Sequence, residues 1–202
     1  ALQFRTIDRE AVGTGHRGTT MWGSELVSRW RDRVECVALC DTNAMRGHAA
    51  QREIGTNAPV YTDLDRLIAE TRPDSIIVTS RDDTHDAIII KALEAGIRVI
   101  SEKPMTTTPE KCRAILEAEQ RTGGTVEVTF NYRFAPTARK IKELLVSGEI
   151  GDVTSVDFHW YLDTRHGADY FRRWHAYEDF SSSLFVHKAT HHFDLLHWYL
   201  DA

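Results

Sequence analysis

The stretch from Phe185 to Trp198, FVHKATHHFDLLHW, carries four histidines, a lysine and an aspartate. Seven of the chain's ten histidines fall between His159 and His197, so the enrichment is regional. Read as a helix, this stretch sets His187, His191 and Asp194 at i, i+4 and i+7 on one face, with Trp198 continuing the stripe. His192 points away, and His197 is about one turn off. Two imidazoles and a carboxylate at that spacing can ligate a metal, with His159, His166 or His175 as a further ligand. The same line can move protons, with His191 as the acid or base and a neighbour orienting it. A third reading is a set of hydrogen-bonded histidines at a domain interface.

Two other stretches carry chemistry. Gly13, Gly15 and Gly18 in VGTGHRG have the GxGxxG spacing of a phosphate-binding turn, with His16 and Arg17 between them. Alone such a hexamer is weak, but a helical pattern follows it. Asp41 closes the next apolar strand, 23 residues beyond Gly18. In a dinucleotide fold the first glycine makes the turn, the second lets the backbone approach a pyrophosphate, and the third packs helix against strand. The following helix N-terminus faces the phosphates. Asp41 can accept from the ribose hydroxyls, which favours NAD over NADP, while Arg46 nearby keeps NADP open. The other stretch is VISEKPM, which puts Glu102, Lys103 and Pro104 just past a strand. Ligands bind at that edge of an open α/β sheet, and a lysine there can stabilise negative charge on a substrate oxygen.

The elements that would hold these residues follow an alternating pattern. Residues 34–40, 75–80 and 97–101 read as short buried strands, and 125–130 as a strand nearer an edge. Helical spacing runs from Trp22 to Trp30, from Thr62 to Glu70 and through 86–95, which Gly96 ends. Another helix spans 109–121, with Thr108 as N-cap and Pro109 in its first turn. Such alternation predicts βαβ units and a doubly wound parallel sheet, a dinucleotide-binding domain over 1–130. One element disagrees: LQFRTIDREAV, the strand before the glycine loop, is polar where a central parallel strand should be apolar. From 131 the pattern changes to a helix over 136–147, closed by Gly148, and a long strand over 152–162. A polar, aromatic segment at 163–175 then suits a pocket wall or an oligomer contact.

Composition narrows the partners. The net charge is −5 with no long run of like charges, which argues against nucleic acid or an anionic membrane. Cys36, Cys40 and Cys112 lack metal or redox spacing and read as reduced thiols of a cytoplasmic protein. No apolar run reaches the ~18 residues of a membrane span, and no signal-like apolar core is present at the N-terminus.

Taken together, GTGHRG at 13–18, Asp41, TSRDDTH at 79–85, EKP at 102–104, NYRF at 131–134 and the H-x-x-D of His191 and Asp194 resemble the glucose–fructose oxidoreductase and inositol dehydrogenase (Gfo/Idh/MocA) family. The resemblance covers nearly the whole chain. It implies a dinucleotide-binding Rossmann domain and then an α/β substrate domain with an open sheet. It also implies a nicotinamide-dependent dehydrogenase acting on a secondary alcohol of a sugar or cyclitol. Lys103 and His191 would flank the reacting carbon, and either could be the base. Thr79, His85, Glu102 and Asn131 would lie along the cofactor, and His187, Lys188 and Asp194 would serve the substrate or tune His191.

Departures from the family pattern leave alternatives. His187 stands where many members have an aspartate, and Ser181–Ser183 replace the usual glycines. After residue 131 there is room for one long strand of an α+β domain, so 131–202 reads as the first part of a longer substrate domain. The strand at 152–162 carries apolar groups on both faces, which predicts pairing with absent chain or between subunits of a homo-oligomer. A relative that cleaves glycosides through transient oxidation, with no net redox, and a non-catalytic nucleotide-binding scaffold are competing functions, and a metal-dependent hydrolase built on His187, His191 and Asp194 is an outlying one.

Overall fold

A computed structural model describes residues 7–201. The chain divides into two compact units, Ala1–Val128 and Thr129–Ala202.

The first unit holds a six-stranded, all-parallel sheet in the order β3-β2-β1-β4-β5-β6. Its strands are β1 (Ile7–Val12), β2 (Val34–Cys40), β3 (Val60–Tyr61), β4 (Ser75–Val78), β5 (Arg98–Ser101) and β6 (Val126–Val128). This is the doubly wound order, with its switch point between β1 and β4. The helices are α1 (Ser24–Arg29), α2 (Ala44–Ile54), α3 (Leu64–Thr71), α4 (His85–Glu94) and α5 (Pro109–Thr122). Their ends follow local chemistry. Asn43, Asp63 and Thr108 cap α2, α3 and α5 by accepting from backbone N–H groups of the first turn. Ile76, Val78, Ile89, Leu93, Val99 and Ile115 are fully buried in one core, and Leu39, Ala50 and Ile54 form a smaller one. Each of the larger side chains contributes about 1.5–3 kcal/mol of burial.

β1 sits in the middle of the sheet despite its polar sequence, pairing with both β2 and β4. Main-chain groups make those ladders, and any residue but proline supplies them. The pairing slips once, from Arg9↔Cys36 to Glu10↔Ala38, so Val37 is an extra residue on β2. Leu2 to Thr6 of the expected first strand lie outside the described residues. The three cysteines are free thiols. Among the described residues, no helix is long and apolar enough to cross a membrane.

The second unit begins with a 3-10 turn, Asn131–Phe134, and α6 (Pro136–Val146). Short turns of helix follow, Thr164–Gly167, Asp169–Arg172 and Glu178–Ser181. The histidine segment is helical, but in two registers: a π-helix over Phe185–Ala189 and an α-helix over Thr190–Leu200. The strand expected at 152–162 does not form; residues 151–163 carry no regular structure. A strand exists through lateral hydrogen bonds, and among the described residues no partner strand lies beside this segment. Val153, Val156, Trp160 and Tyr161 are correspondingly exposed.

Candidate functional site

In the first unit the chemistry gathers at the carboxyl ends of the strands. The ladder leads each chain segment there: Gly13 N–H donates to Cys40 O, Thr79 N–H to Val12 O and Glu102 N–H to Val78 O. The segments after β1, β2, β4 and β5 therefore emerge side by side.

The glycine loop leaves β1 through Gly13, whose φ of +94° is the left-handed region. A Cβ there would also lie 2.5 Å from the backbone of Ser80. Gly18 is equally constrained, since its Cβ would meet Gly13 O at 2.3 Å. Gly15 is different: a Cβ there would find nothing within 4 Å. Its glycine is not needed by the fold, and the open space beside it is what a pyrophosphate approaching the backbone would use. The helix after the loop starts as a π-helix, Arg17–Gly23, before α1.

Asp41 is buried at the end of β2. Its Oδ2 accepts from the Thr14 N–H at 2.9 Å and the Thr14 hydroxyl at 2.8 Å, and Oδ1 accepts from the Asn43 N–H at 2.9 Å. A carboxylate has about four acceptor positions, so capacity for a ribose hydroxyl remains. Arg46 stands 3.9 Å from Oδ2 and is mostly exposed. The residues present thus fit a dinucleotide: a glycine turn with space at Gly15, and a fixed acid at the next strand end.

Glu102 and Lys103 follow β5. The buried Glu102 carboxylate accepts from Trp22 Nε1 at 3.0 Å and Arg17 at 3.2 Å, which ties the glycine-loop helix to the Glu102-Lys103-Pro104 turn. Arg17 also meets the Met21 sulfur, and His16 contacts the Thr20 hydroxyl at 3.1 Å. Lys103 is half-buried.

Two residues expected along the cofactor have their polar atoms committed to the fold. The Thr79 hydroxyl donates to Gly13 O at 2.6 Å. His85 is 1% exposed, with one ring nitrogen 2.9 Å from Pro104 O and the other 3.1 Å from Ser80 O. His85 therefore fastens α4 to the turn that carries Lys103. Asn131, in the second unit, is exposed.

In the second unit His187, Lys188, His191 and Asp194 are all buried. Lys188 and His191 meet at Tyr132, whereas Asp194 and His187 have other neighbours. His191 stacks on Tyr132, ring centroids 4.1 Å apart and planes 8° from parallel, and Phe130 meets it edge-on. Asp194 takes a bidentate ion pair from Arg133, with Nε to Oδ2 at 2.7 Å and the other guanidinium nitrogen on Oδ1. His187 lies among Tyr170, Trp174 and His175, with centroids 5.4, 5.8 and 4.7 Å away. The aromatic segment expected as a pocket wall is thus packed on His187. Among the described residues, no three His, Cys, Asp or Glu side chains come together as a metal site. His159 instead pairs with Asp157, and the His166 side chain lies outside the described residues.

Sequence reading missed Tyr132 and Arg133 as functional residues. NYRF was visible as a motif, but nothing in the spacing said that its tyrosine would carry His191 and its arginine would hold Asp194. It also missed Trp22, whose indole reaches Glu102 across 80 residues of sequence.

Comparison with known proteins decides the family. The profile described as "Oxidoreductase family, NAD-binding Rossmann fold" matches residues 11–130, and its companion, "Oxidoreductase family, C-terminal alpha/beta domain", matches 142–202. The chain belongs to the Gfo/Idh/MocA oxidoreductases. Its first unit is the NAD-binding Rossmann domain of that family. One similar relative, from Bacillus subtilis (strain 168), is named "Putative oxidoreductase YteT"; it is 43% identical over 93% of this chain and 45% of its own length. Inositol 2-dehydrogenase of Salmonella typhimurium (strain LT2) is 29% identical over 97% of the chain and 55% of its own. Among solved structures, the WlbA dehydrogenase of Bordetella pertussis, in complex with NADH and UDP-GlcNAcA, superposes with a TM-score of 0.84 at 26% identity. That match covers 97% of this chain and 59% of the other. The chain thus spans about half the length of the family members it matches.

Proposed function

We propose that this Gfo/Idh/MocA chain belongs to a dehydrogenase that moves a hydride between NAD and a secondary alcohol of a sugar or cyclitol. The observation that carries the reading is the first unit's strand-end edge. There a glycine turn with open space at Gly15, the fixed Asp41 carboxylate and the anchored Glu102-Lys103-Pro104 turn meet on one sheet. Asp41 favours NAD, and Arg46 leaves NADP as the second cofactor to assay. The names of the inositol and UDP-GlcNAcA relatives support a polyol or sugar substrate. Residues 1–130 bind the dinucleotide in this reading, and 131–202 open the substrate domain.

The bound nicotinamide supplies the hydride acceptor. His191 takes the hydroxyl proton as the alcohol becomes a carbonyl, and Lys103 stabilises the negative charge that builds on that oxygen. Stacking on Tyr132 fixes the plane of the His191 ring. Glu102, held by Arg17 and Trp22, and His85, held under Pro104, keep the Lys103 turn in place. The test is a titration with NAD and NADP followed by a panel of inositols and sugars. Saturable binding of NAD and cofactor reduction with at least one polyol are expected. Absence of a response to either cofactor below millimolar concentration would overturn the reading.

A further inference from the structure

Lys188 raises a question that the hydride-transfer chemistry leaves open. Its residue is 6% exposed. Among the described residues its ammonium makes one hydrogen bond, to the Tyr132 hydroxyl oxygen at 2.8 Å, and it lies 5.3 Å from the centre of that ring. No carboxylate among the described residues lies within ion-pair distance of it, and the buried Asp194 carboxylate is paired with Arg133. An ammonium has three N–H donors, so two remain unused. Taking such a cation out of water without a counter-charge is costly.

The surroundings describe that partner. The Tyr132 hydroxyl accepts from Lys188 and keeps its own O–H to donate. Tyr132 stacks with His191 at 4.1 Å and with Trp160 at 5.2 Å, and Trp160 is 47% exposed. The Lys188 ammonium and the Tyr132 hydroxyl, beside the half-exposed Trp160 indole, suit a ring with an apolar face and an oxyanion substituent. We propose that Lys188 and Tyr132 form a subsite for the carboxylate of an acidic sugar. This deepens the proposed function, on which it rests, by naming the substrate class: a uronate-type ring rather than a neutral polyol. The oxyanion could have a second source, the developing alkoxide of a neutral substrate, and the test separates the two.

The 202-residue chain is titrated with methyl β-D-glucuronoside and with methyl β-D-glucoside, with and without saturating NAD. Tryptophan emission is followed, since Trp160 lies at the subsite. The acidic sugar is expected to bind about tenfold or more tightly than the neutral one at low salt. Lys188→Met should bring the two affinities together and leave NAD affinity unchanged. This substitution replaces a buried charge by an apolar chain of similar length, so it should melt no lower than wild type. Tyr132→Phe keeps the ring stack and should lose part of the preference. Equal binding of the two sugars by the wild type overturns the subsite, as does a preference that survives Lys188→Met. Loss of turnover on neutral polyols in Lys188→Met, with no preference for the acidic sugar, puts the lysine on the reacting oxygen and also overturns it. Failure to bind NAD would instead fall on the dehydrogenase reading, because the sugar preference is measured without cofactor as well.

Discussion

At the scale of single residues, the histidine segment resolves into separate tasks. His191 is the candidate acid–base group, stacked on Tyr132. Replacing it by alanine should lower turnover by about 10²–10⁴-fold while leaving NAD affinity within a few fold, and Lys103→Met should do likewise. A fall in NAD affinity of the same size as the fall in turnover would show a structural role instead. Asp194 has a different task, since its buried carboxylate is paired with Arg133. Arg133→Ala leaves that charge without its partner and should cost about 1–3 kcal/mol in denaturant unfolding. An unchanged midpoint would contradict the pairing. His192 sets a pH dependence. Burial, and then the Lys188 ammonium, hold its imidazole below the ordinary histidine value of 6.5. The folded chain therefore binds that proton less readily than the unfolded chain. The associated stability is complete above about pH 6.5 and is lost as pH falls through the folded value. Melting temperature should drop on acidification from pH 7, and His192→Phe should flatten part of the drop. Equal slopes for variant and wild type would assign the dependence to other groups.

At the scale of elements, the glycine loop separates folding from binding. Gly15→Ala meets no atom within 4 Å, so it should melt as the wild type does yet bind NAD about tenfold or more weakly. Gly13→Ala should be destabilised by roughly 1–3 kcal/mol, because its φ is positive and its Cβ would strike Ser80. If Gly15→Ala kept full NAD affinity, the phosphate path past Gly15 would be wrong. The elements differ in how much of this could be read beforehand. β2 was legible to the residue, because a parallel strand buried on both faces is a bounded apolar run. The start of α5 was legible from Thr108 and Pro109; its end, the left-handed Gly123, lies two residues past the expected 121. α2 was not, because AMRGHAAQREI carries few apolar residues and its signal is the Asn43 cap. The π-helices Arg17–Gly23 and Phe185–Ala189 could not be foreseen from a 3.6-residue period. Both fall in the candidate site segments, where such i→i+5 turns concentrate. The segment 152–162 has a strand's alternation without a strand's partner, and alternation alone cannot supply one.

At the scale of the whole molecule, the family resemblance extended to both units, and the comparisons bear it out over residues 11–130 and 142–202. What sequence could not supply was the long-range pairing inside each unit: Trp22 and Arg17 to Glu102 and His85 to Pro104 in the first, Tyr132 to Lys188 and His191 in the second. Those contacts join residues 19 to 85 positions apart in the chain. The exposed Val153, Val156 and Tyr161 keep pairing with a second copy as a proposal, which sedimentation checks: self-association is expected, and a stable monomer at all concentrations would count against it. The competing glycoside-cleaving function is separated by its products, since it releases a free sugar with no net reduced cofactor. The central claim is hydride transfer, and its most direct measurement is the absorbance of reduced nicotinamide when the chain is mixed with NAD and a panel of inositols, neutral sugars and uronates. Steady formation of reduced cofactor is expected with at least one of them, stoichiometric with a keto product and lost in both Lys103→Met and His191→Ala. Tight NAD binding with no reduction on any of these substrates would contradict it and leave a nucleotide-binding scaffold in its place.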